Sequence, residues 1–272
     1  MFVSEGLVFL ELHKTGCTHI RNFLSEAVAG EFVGKHNQAD REMIKQGGRK
    51  ILGSIRNPWE WYVSLWAYGC DGKGAIYNRA VSETEREKIW LRRKKSRSTN
   101  RFSRIKIAAI SEWQKVYARS SDPEAFRQWL RLIHDPQNSE IVADGYEYSR
   151  FKHCAGILSY RYLKLFCSFA GENSPMQKLT SNNELMEFDN TNCFIDYFIR
   201  NEKLERDLME AFQRFGYELR ADLVDRLKNK PRTNTSSRRL PIDAYYDLDS
   251  IKLVREREQL IIRKFGYHAL PD

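Results

Sequence analysis

Leu7-Val8-Phe9-Leu10-Glu11-Leu12-His13-Lys14-Thr15-Gly16-Cys17-Thr18-His19-Ile20 decides the fold. Its first six residues are a short apolar run with the length of a buried strand. A polar loop follows, and then a helical pattern in which Ile20, Phe23, Leu24, Ala27 and Val28 recur at i, i+3, i+4, i+7 and i+8. Thr18 is the expected N-cap of that helix and Gly30 its expected stop. The unit reads strand, polar loop, helix.

The pattern repeats downstream. Glu31-Phe32-Val33-Gly34-Lys35-His36 reads as a second short strand and Lys50-Ile51-Leu52-Gly53-Ser54-Ile55 as a third. The third ends at Arg56-Asn57-Pro58, and Pro58 suits the first turn of a helix carrying Trp61, Tyr62, Leu65, Trp66 and Tyr68. Strands alternating with helices imply an α/β fold: a central parallel sheet flanked by helices, with right-handed crossovers. Ligands of such sheets bind at the carboxyl ends of the strands, where both polar loops fall.

Further helices are expected over Pro123 to Ile133, Ala155 to Phe169, the stretch carrying Leu204, Leu208, Met209, Phe212 and Phe215, and a last one closing at Gly266. Lys228 to Arg239 reads as a loop. The 272 residues, 42% hydrophobic, bury one sizeable core, and no linker divides them, so one domain is expected. It carries a basic, irregular insertion at about 70–150.

No stretch reaches the ~20 apolar residues of a membrane-spanning helix. The opening Met1 to Gly6 lacks a basic segment followed by a long apolar run, so no secretory signal is expected. Cys17, Cys70, Cys154, Cys167 and Cys193 are an odd, scattered set with no C-x-x-C spacing. They suggest neither a zinc site nor a redox pair, and a reducing, cytoplasmic setting. The formal charge of +9 points to anionic partners. From Arg86 to Lys106 there are ten basic residues against one acid, Glu87. That run is a solvated face or a contact for an anionic acceptor, a membrane surface or nucleic acid.

A loop between a strand and a helix N-terminus is an anion site, because free backbone N–H groups converge there. Lys14 adds a positive charge, Thr15 and Thr18 add hydroxyls, and Gly16 lets the backbone approach closely. The order is not that of Walker A, which places lysine after the glycines. At the third strand's end Arg56 can fork onto a second phosphate, and Ser64, two turns into the next helix, can donate to it. Two phosphate sites suit a nucleotide with phosphates at both ends.

These residues resemble those of the PAPS-dependent sulfotransferases, closest to the carbohydrate-type, bacterial-like branch. Leu12 to His19 is similar to their 5′-phosphosulfate loop, commonly P-K-T-G-G-T-S, with His13, Cys17 and His19 as departures. Arg56 to Ser64 resembles their 3′-phosphate motif, R-x-P followed by serine. Arg200-Asn201-Glu202-Lys203-Leu204-Glu205-Arg206-Asp207 is similar to R-x-E-x-L-x-x-D, and Asn234 to Arg238 resembles the C-terminal cofactor loop. The resemblance implies a P-loop-like three-layer fold and 3′-phosphoadenosine 5′-phosphosulfate (PAPS) as sulfuryl donor. It places Lys14 on the bridging oxygen and Thr15, Gly16, Cys17 and Thr18 on the 5′-phosphate. Arg56 and Ser64 then hold the 3′-phosphate, and Ser236, Ser237 and Arg238 close over the nucleotide. No metal ligand is implied.

An acceptor hydroxyl also needs a base, and histidine suits neutral pH. His13 and His19 flank the loop as anion contacts, whereas His36 lies between the two phosphate motifs, where related enzymes keep their base. Glu11 and Glu60 are the alternatives. Two rival readings stand beside this one. A P-loop kinase has a similar fold, and a basic nucleic-acid binder would use the Arg86–Lys106 run. The acceptor that the resemblance implies first is a sugar hydroxyl, with a lipid-linked or small-molecule alcohol as the alternatives.

Overall fold

The computed structural model describes residues 1–39, 48–96, 107–170, 174–229 and 240–268. It is an α/β structure with a five-stranded sheet: β1 (Phe2–Ser4), β2 (Leu7–Leu10), β3 (Gly30–Phe32), β4 (Lys50–Ile55) and β5 (Tyr197–Arg200). The spatial order is β3-β1-β2-β4-β5. β2, β4 and β5 are parallel neighbours, as the sequence implies. The sheet as a whole is mixed, which corrects the all-parallel expectation, because β1 runs antiparallel to both β2 and β3. The reason is the connection. Only Glu5 and Gly6 separate β1 from β2, too few residues for a parallel crossover. Ser4 closes the turn, its Oγ accepting from the Leu7 N–H (2.9 Å) and donating to the Leu7 carbonyl (3.0 Å).

β3 is an exposed edge strand and stops at Phe32, so His36 lies beyond it rather than at its end. Gly34 (φ 64°) and His36 (φ 57°) are left-handed, which an extended strand cannot accommodate. The first helix, α1 (Cys17–Ala27), also departs from expectation at both ends. Gly16 (φ 85°) is its N-cap in place of Thr18, Val28 follows its last residue, and Gly30 opens β3. Its core face is as read: Ile20, Phe23 and Leu24 join Phe2, Leu7, Phe9, Leu52, Ile199, Leu204, Leu208 and Phe212 in one apolar cluster. Every residue of β2 is buried, the mark of a strand covered on both faces.

The chain forms two compact units. The first comprises the described parts of Met1–Asn57, Tyr160–Met176 and Asn183–Thr235 and contains the sheet. The second comprises those of Pro58–Ser159, Gln177–Asn182 and Ser236–Asp272.

Within the stretch expected to be irregular, the described residues of the second unit form helices Ala75–Val81, Glu83–Ser96 and Ile110–Val116, and the helix expected from Pro123 is present as Pro123–His134. Two of these have seven residues, too few turns for the periodicity to register. Glu83–Ser96 hides its character because nine of its 14 residues are charged, with Ile89 buried. Pro123–His134 is capped by Asp122, which accepts from the Glu124 and Ala125 N–H groups (3.0 and 3.1 Å). This unit's core is aromatic: Trp59, Trp61, Tyr62, Trp66, Trp113, Trp129, Tyr146 and Tyr245 are all fully buried. Two of these indoles find acceptors, Trp66 Nε1 donating to the Val116 carbonyl and Trp129 Nε1 to the Tyr117 hydroxyl, both at 2.7 Å.

The last helix is two, Leu248–Arg257 and Gln259–Phe265, separated by Glu258 and closed by Gly266 (φ 65°). Glu258 explains the break. Its fully buried carboxyl accepts from the Tyr62 hydroxyl, the Ser159 hydroxyl (2.6 Å) and the Ser159 and Leu158 N–H groups (2.8 and 3.2 Å). Gly156 lies under it, and a Cβ there would meet Glu258 Oε1 and the Tyr62 hydroxyl. Burial pushes this carboxyl up to about 7, against an ordinary 4.5, with its hydrogen bonds pulling the other way. Between those values the folded state binds the extra proton, so Glu258 stabilises below the unfolded pKa and that contribution is lost as pH rises through about 7. The expected outcome in urea unfolding is a stability decline between about pH 5 and about pH 8 that Glu258→Gln, whatever its own stability, reduces. Equal pH slopes in the two proteins would refute the assignment.

Candidate functional site

Parallel pairing of Leu10 with Gly53 levels the carboxyl ends of β2 and β4 at one sheet edge. β2 runs into the loop 11–16, and Lys14 (φ 65°) and Gly16 (φ 85°) give that loop its left-handed bends. For lysine such a backbone costs on the order of 1–3 kcal/mol and persists only where neighbours enforce it. Thr15, fully buried, is the enforcer. Its hydroxyl donates to the Leu12 carbonyl (2.6 Å) and accepts from Ser54 of β4 (2.6 Å). The Cys17 thiol donates to the same carbonyl at 2.9 Å, and burial pushes its pKa up. The side chains of Thr15 and Cys17 thus form the floor of the loop. What the loop presents outward is the Thr18 hydroxyl, which is exposed, and the N–H groups of the first helical turn. Cys17 fits in the loop because its side chain turns inward.

Gly16 has a further reason to be glycine. A Cβ there would sit 2.7 Å from Asn201 Nδ2 and 2.8 Å from Leu204 Cδ1. Both belong to the Arg200–Asp207 segment, which gains a physical role. Asp207, fully buried, accepts from Arg200 N (3.0 Å) and Arg200 Nε (2.9 Å). Glu202 accepts from the Asn57 N–H (2.6 Å). The segment therefore packs under one loop and holds the other. The loops also touch directly, with Arg56 Nη1 donating to the Lys14 carbonyl at 3.3 Å.

His36 reaches the same place. Its Nδ1 lies 2.8 Å from the Glu11 carbonyl. A carbonyl only accepts, so Nδ1 carries the proton and Nε2 keeps a lone pair in the neutral ring. The ring stacks on His13, centroids 3.5 Å apart and 17° from parallel. Burial presses both rings down, His13 to about 2 with help from Arg161, His36 and Lys14, and His36 below 6.5 despite the Glu11 carbonyl. Both are neutral at pH 7, so the positive charge belongs to Lys14, Arg56 and Arg161. Arg161, 8% exposed, is a site residue that the sequence reading missed. The available signal was an arginine inside the apolar run Ile157 to Phe166.

The other expected residues lie elsewhere or are otherwise engaged. Glu11, 1% exposed, accepts from the Met1 amino group (3.1 Å) and lies 3.4 Å from Arg21 Nε, an ion-pair role rather than that of a base. Ser64 is buried and Glu60 half-buried on the helix Pro58–Cys70 of the second unit. His19 is buried on α1. Ser236, Ser237 and Arg238 fall outside the described residues, as do residues 97–106 of the basic run. Within its described part, Arg86 donates to the Ala80 and Ala108 carbonyls and Lys88 pairs with Glu85, so two of the ten cations serve the fold.

Comparison with family models, curated proteins and solved structures gives no match. The functional reading therefore rests on this chain's own residues. Gly16→Ala must open the Asn201–Leu204 contact and adopt a strained φ. The expected outcome is a loss of about 1–3 kcal/mol in urea unfolding, the range for overpacking, with weaker anion binding by calorimetry. A Gly16→Ala protein of unchanged stability would show that the loop does not pack as described.

Proposed function

We propose that the chain is a PAPS-dependent sulfotransferase of P-loop-like, three-layer fold that moves a sulfuryl group to an acceptor hydroxyl, on a carbohydrate. The observation carrying this reading is one strand edge that gathers a lysine loop at a helix N-terminus, a second cationic loop bonded to it, and a neutral histidine with a free Nε2. PAPS would supply the activated sulfuryl group. In this reading the amides and Thr18 hydroxyl of the loop hold the 5′-phosphate. Arg56 takes the 3′-phosphate, and the family resemblance adds Ser64 and the Ser236, Ser237 and Arg238 stretch.

The transfer then balances. The acceptor oxygen bonds to sulfur as its proton passes to His36 Nε2, and the phosphosulfate S–O bond breaks. Lys14 stabilises the negative charge that collects on the departing bridging oxygen, and adenosine 3′,5′-bisphosphate leaves. Positioning and charge stabilisation carry such a reaction. A basic surface from the Arg86–Lys106 run would suit an anionic acceptor or a membrane-borne one. No helix among the described residues is long and apolar enough to cross a membrane.

Adenosine 3′,5′-bisphosphate is expected to raise Tm, by linkage worth about 2.7 kcal/mol at a hundred times Kd. ATP lacks the 3′-phosphate and is expected to do much less, and Arg56→Ala to abolish the difference. Equal stabilisation by ATP would contradict the reading and favour the kinase alternative.

At saturating PAPS, Lys14→Ala is expected to lower kcat by about a hundredfold or more. His36→Gln is expected to lose a similar factor while binding the bisphosphate normally. Because burial holds His36 below 6.5, the acidic limb of the wild-type pH–rate profile should lie below that pH and vanish in His36→Gln. A fully active His36→Gln protein would remove histidine from the chemistry.

A further inference from the structure

The three residues Cys167, Asp189 and Cys193 lie in the first unit and take no part in the proposed transfer. Cys167 and Cys193 face each other across an isolated antiparallel bridge. The flanking bonds, Ser168 N–H to the Asn192 carbonyl (2.9 Å) and Phe194 N–H to the Phe166 carbonyl (3.1 Å), make this a non-hydrogen-bonded pair. Side chains of such a pair point the same way and approach most closely. Asp189 sits on the helix Asn182–Asn192, and the Cys193 N–H donates to its carbonyl (2.9 Å). The i, i+4 spacing puts Asp189 and Cys193 on one face. Two backbone constraints thus converge three donor side chains whose ligand atoms lie within 4.8 Å of one another.

We propose that Cys167, Asp189 and Cys193 form a metal site for a borderline-soft divalent cation of the zinc type. The donor chemistry fits: two thiolates and a carboxylate, with a solvent oxygen completing four-coordination beside Cys193, the least buried of the three. The spacing fits as well. A tetrahedral zinc ion with bonds of about 2.0–2.3 Å sets donors roughly 3.5–3.8 Å apart, and Cys167 Sγ lies 3.7 Å from Asp189 Oδ1. Tyr162 supplies the surrounding support. Its hydroxyl donates to Asp189 Oδ1 (2.9 Å) and lies 3.6 Å from Cys193 Sγ, so the carboxylate is oriented before a metal arrives. Asp189 is 1% exposed and Cys167 4%, and a dication would offset the charge that metal binding creates when both thiols release their protons. The site would staple Cys167, just past the helix Ile157–Phe166, to Cys193, just past the helix Asn182–Asn192, two positions 26 residues apart in sequence.

The test uses the reduced full-length chain with zinc or cobalt(II) alone. Equilibrium dialysis is expected to give one zinc per chain. Cobalt is expected to give thiolate charge-transfer and tetrahedral d–d bands that zinc displaces. Zinc should also protect Cys167 and Cys193, mapped by mass spectrometry, from alkylation, a readout on wild-type protein that needs no variant to fold. Cys167→Ser and Asp189→Asn are expected to weaken zinc by at least about tenfold, and Tyr162→Phe by about tenfold, the lower end of the effect of a supporting hydrogen bond. Cys70→Ser is expected to change nothing. Folded wild-type protein without stoichiometric zinc would overturn the proposal. So would cobalt bands unchanged by Cys167→Ser, or an air-formed Cys167–Cys193 disulfide with no zinc protection of the reduced thiols.

Discussion

The Thr15 hydroxyl, held between the Leu12 carbonyl and Ser54 in a fully buried position, is the interaction on which the candidate site depends. Removing one partner from such a buried chain leaves the other unsatisfied at a cost of about 1–3 kcal/mol. That bond lashes the loop after β2 to the neighbouring parallel strand and so fixes the turn in which Lys14 and Gly16 are left-handed. Arg56 then reaches the Lys14 carbonyl, and the Asn201–Leu204 corner closes against Gly16. An anion site built from backbone N–H groups works only if the backbone is held still. Here a buried hydroxyl pair does the holding, from inside the sheet.

The electrostatics follow the same division between floor and surface. Burial keeps the stacked His13 and His36 neutral, with Arg161 beside both rings and Lys14 beside His13. A neutral imidazole with its Nδ1 proton committed to the Glu11 carbonyl has its Nε2 lone pair set for proton transfer. Burial opposes protonation of that ring, with Arg161 and the Met1 amino group acting in the same sense and Glu11 against it. In the second unit burial acts in the opposite sense on an acid, holding the Glu258 carboxyl, packed against Gly156, up at about 7.

Much of this was legible in the sequence, for physical reasons. β2, β4 and α1 announce themselves because a doubly buried strand is a continuous apolar run and a core-facing helix is periodic. Lys14, Gly16 and Arg56 were legible because turn chemistry after a strand is local. What failed was non-local or too short. β1 has three residues, and its antiparallel pairing depends on a turn closed by Ser4. The inward turn of Thr15 and Cys17 depends on Ser54, a partner 39 and 37 residues away. Arg161 shows only as an arginine inside an apolar run, and Cys167 joins the Asp189–Cys193 pair, four residues apart, through tertiary pairing that its own position does not announce.

In the proposed reading this strand edge handles a sulfuryl donor bearing phosphates at both ends of its nucleoside. The most direct measurement is transfer of label from radiolabelled PAPS, run beside γ-labelled ATP with magnesium, against a panel of glycans, lipids and phenols. Label is expected to move from PAPS to a hydroxyl-bearing acceptor, most readily a glycan, with none moving from ATP. Label moving from ATP and none from PAPS, across the same panel, would contradict that reading.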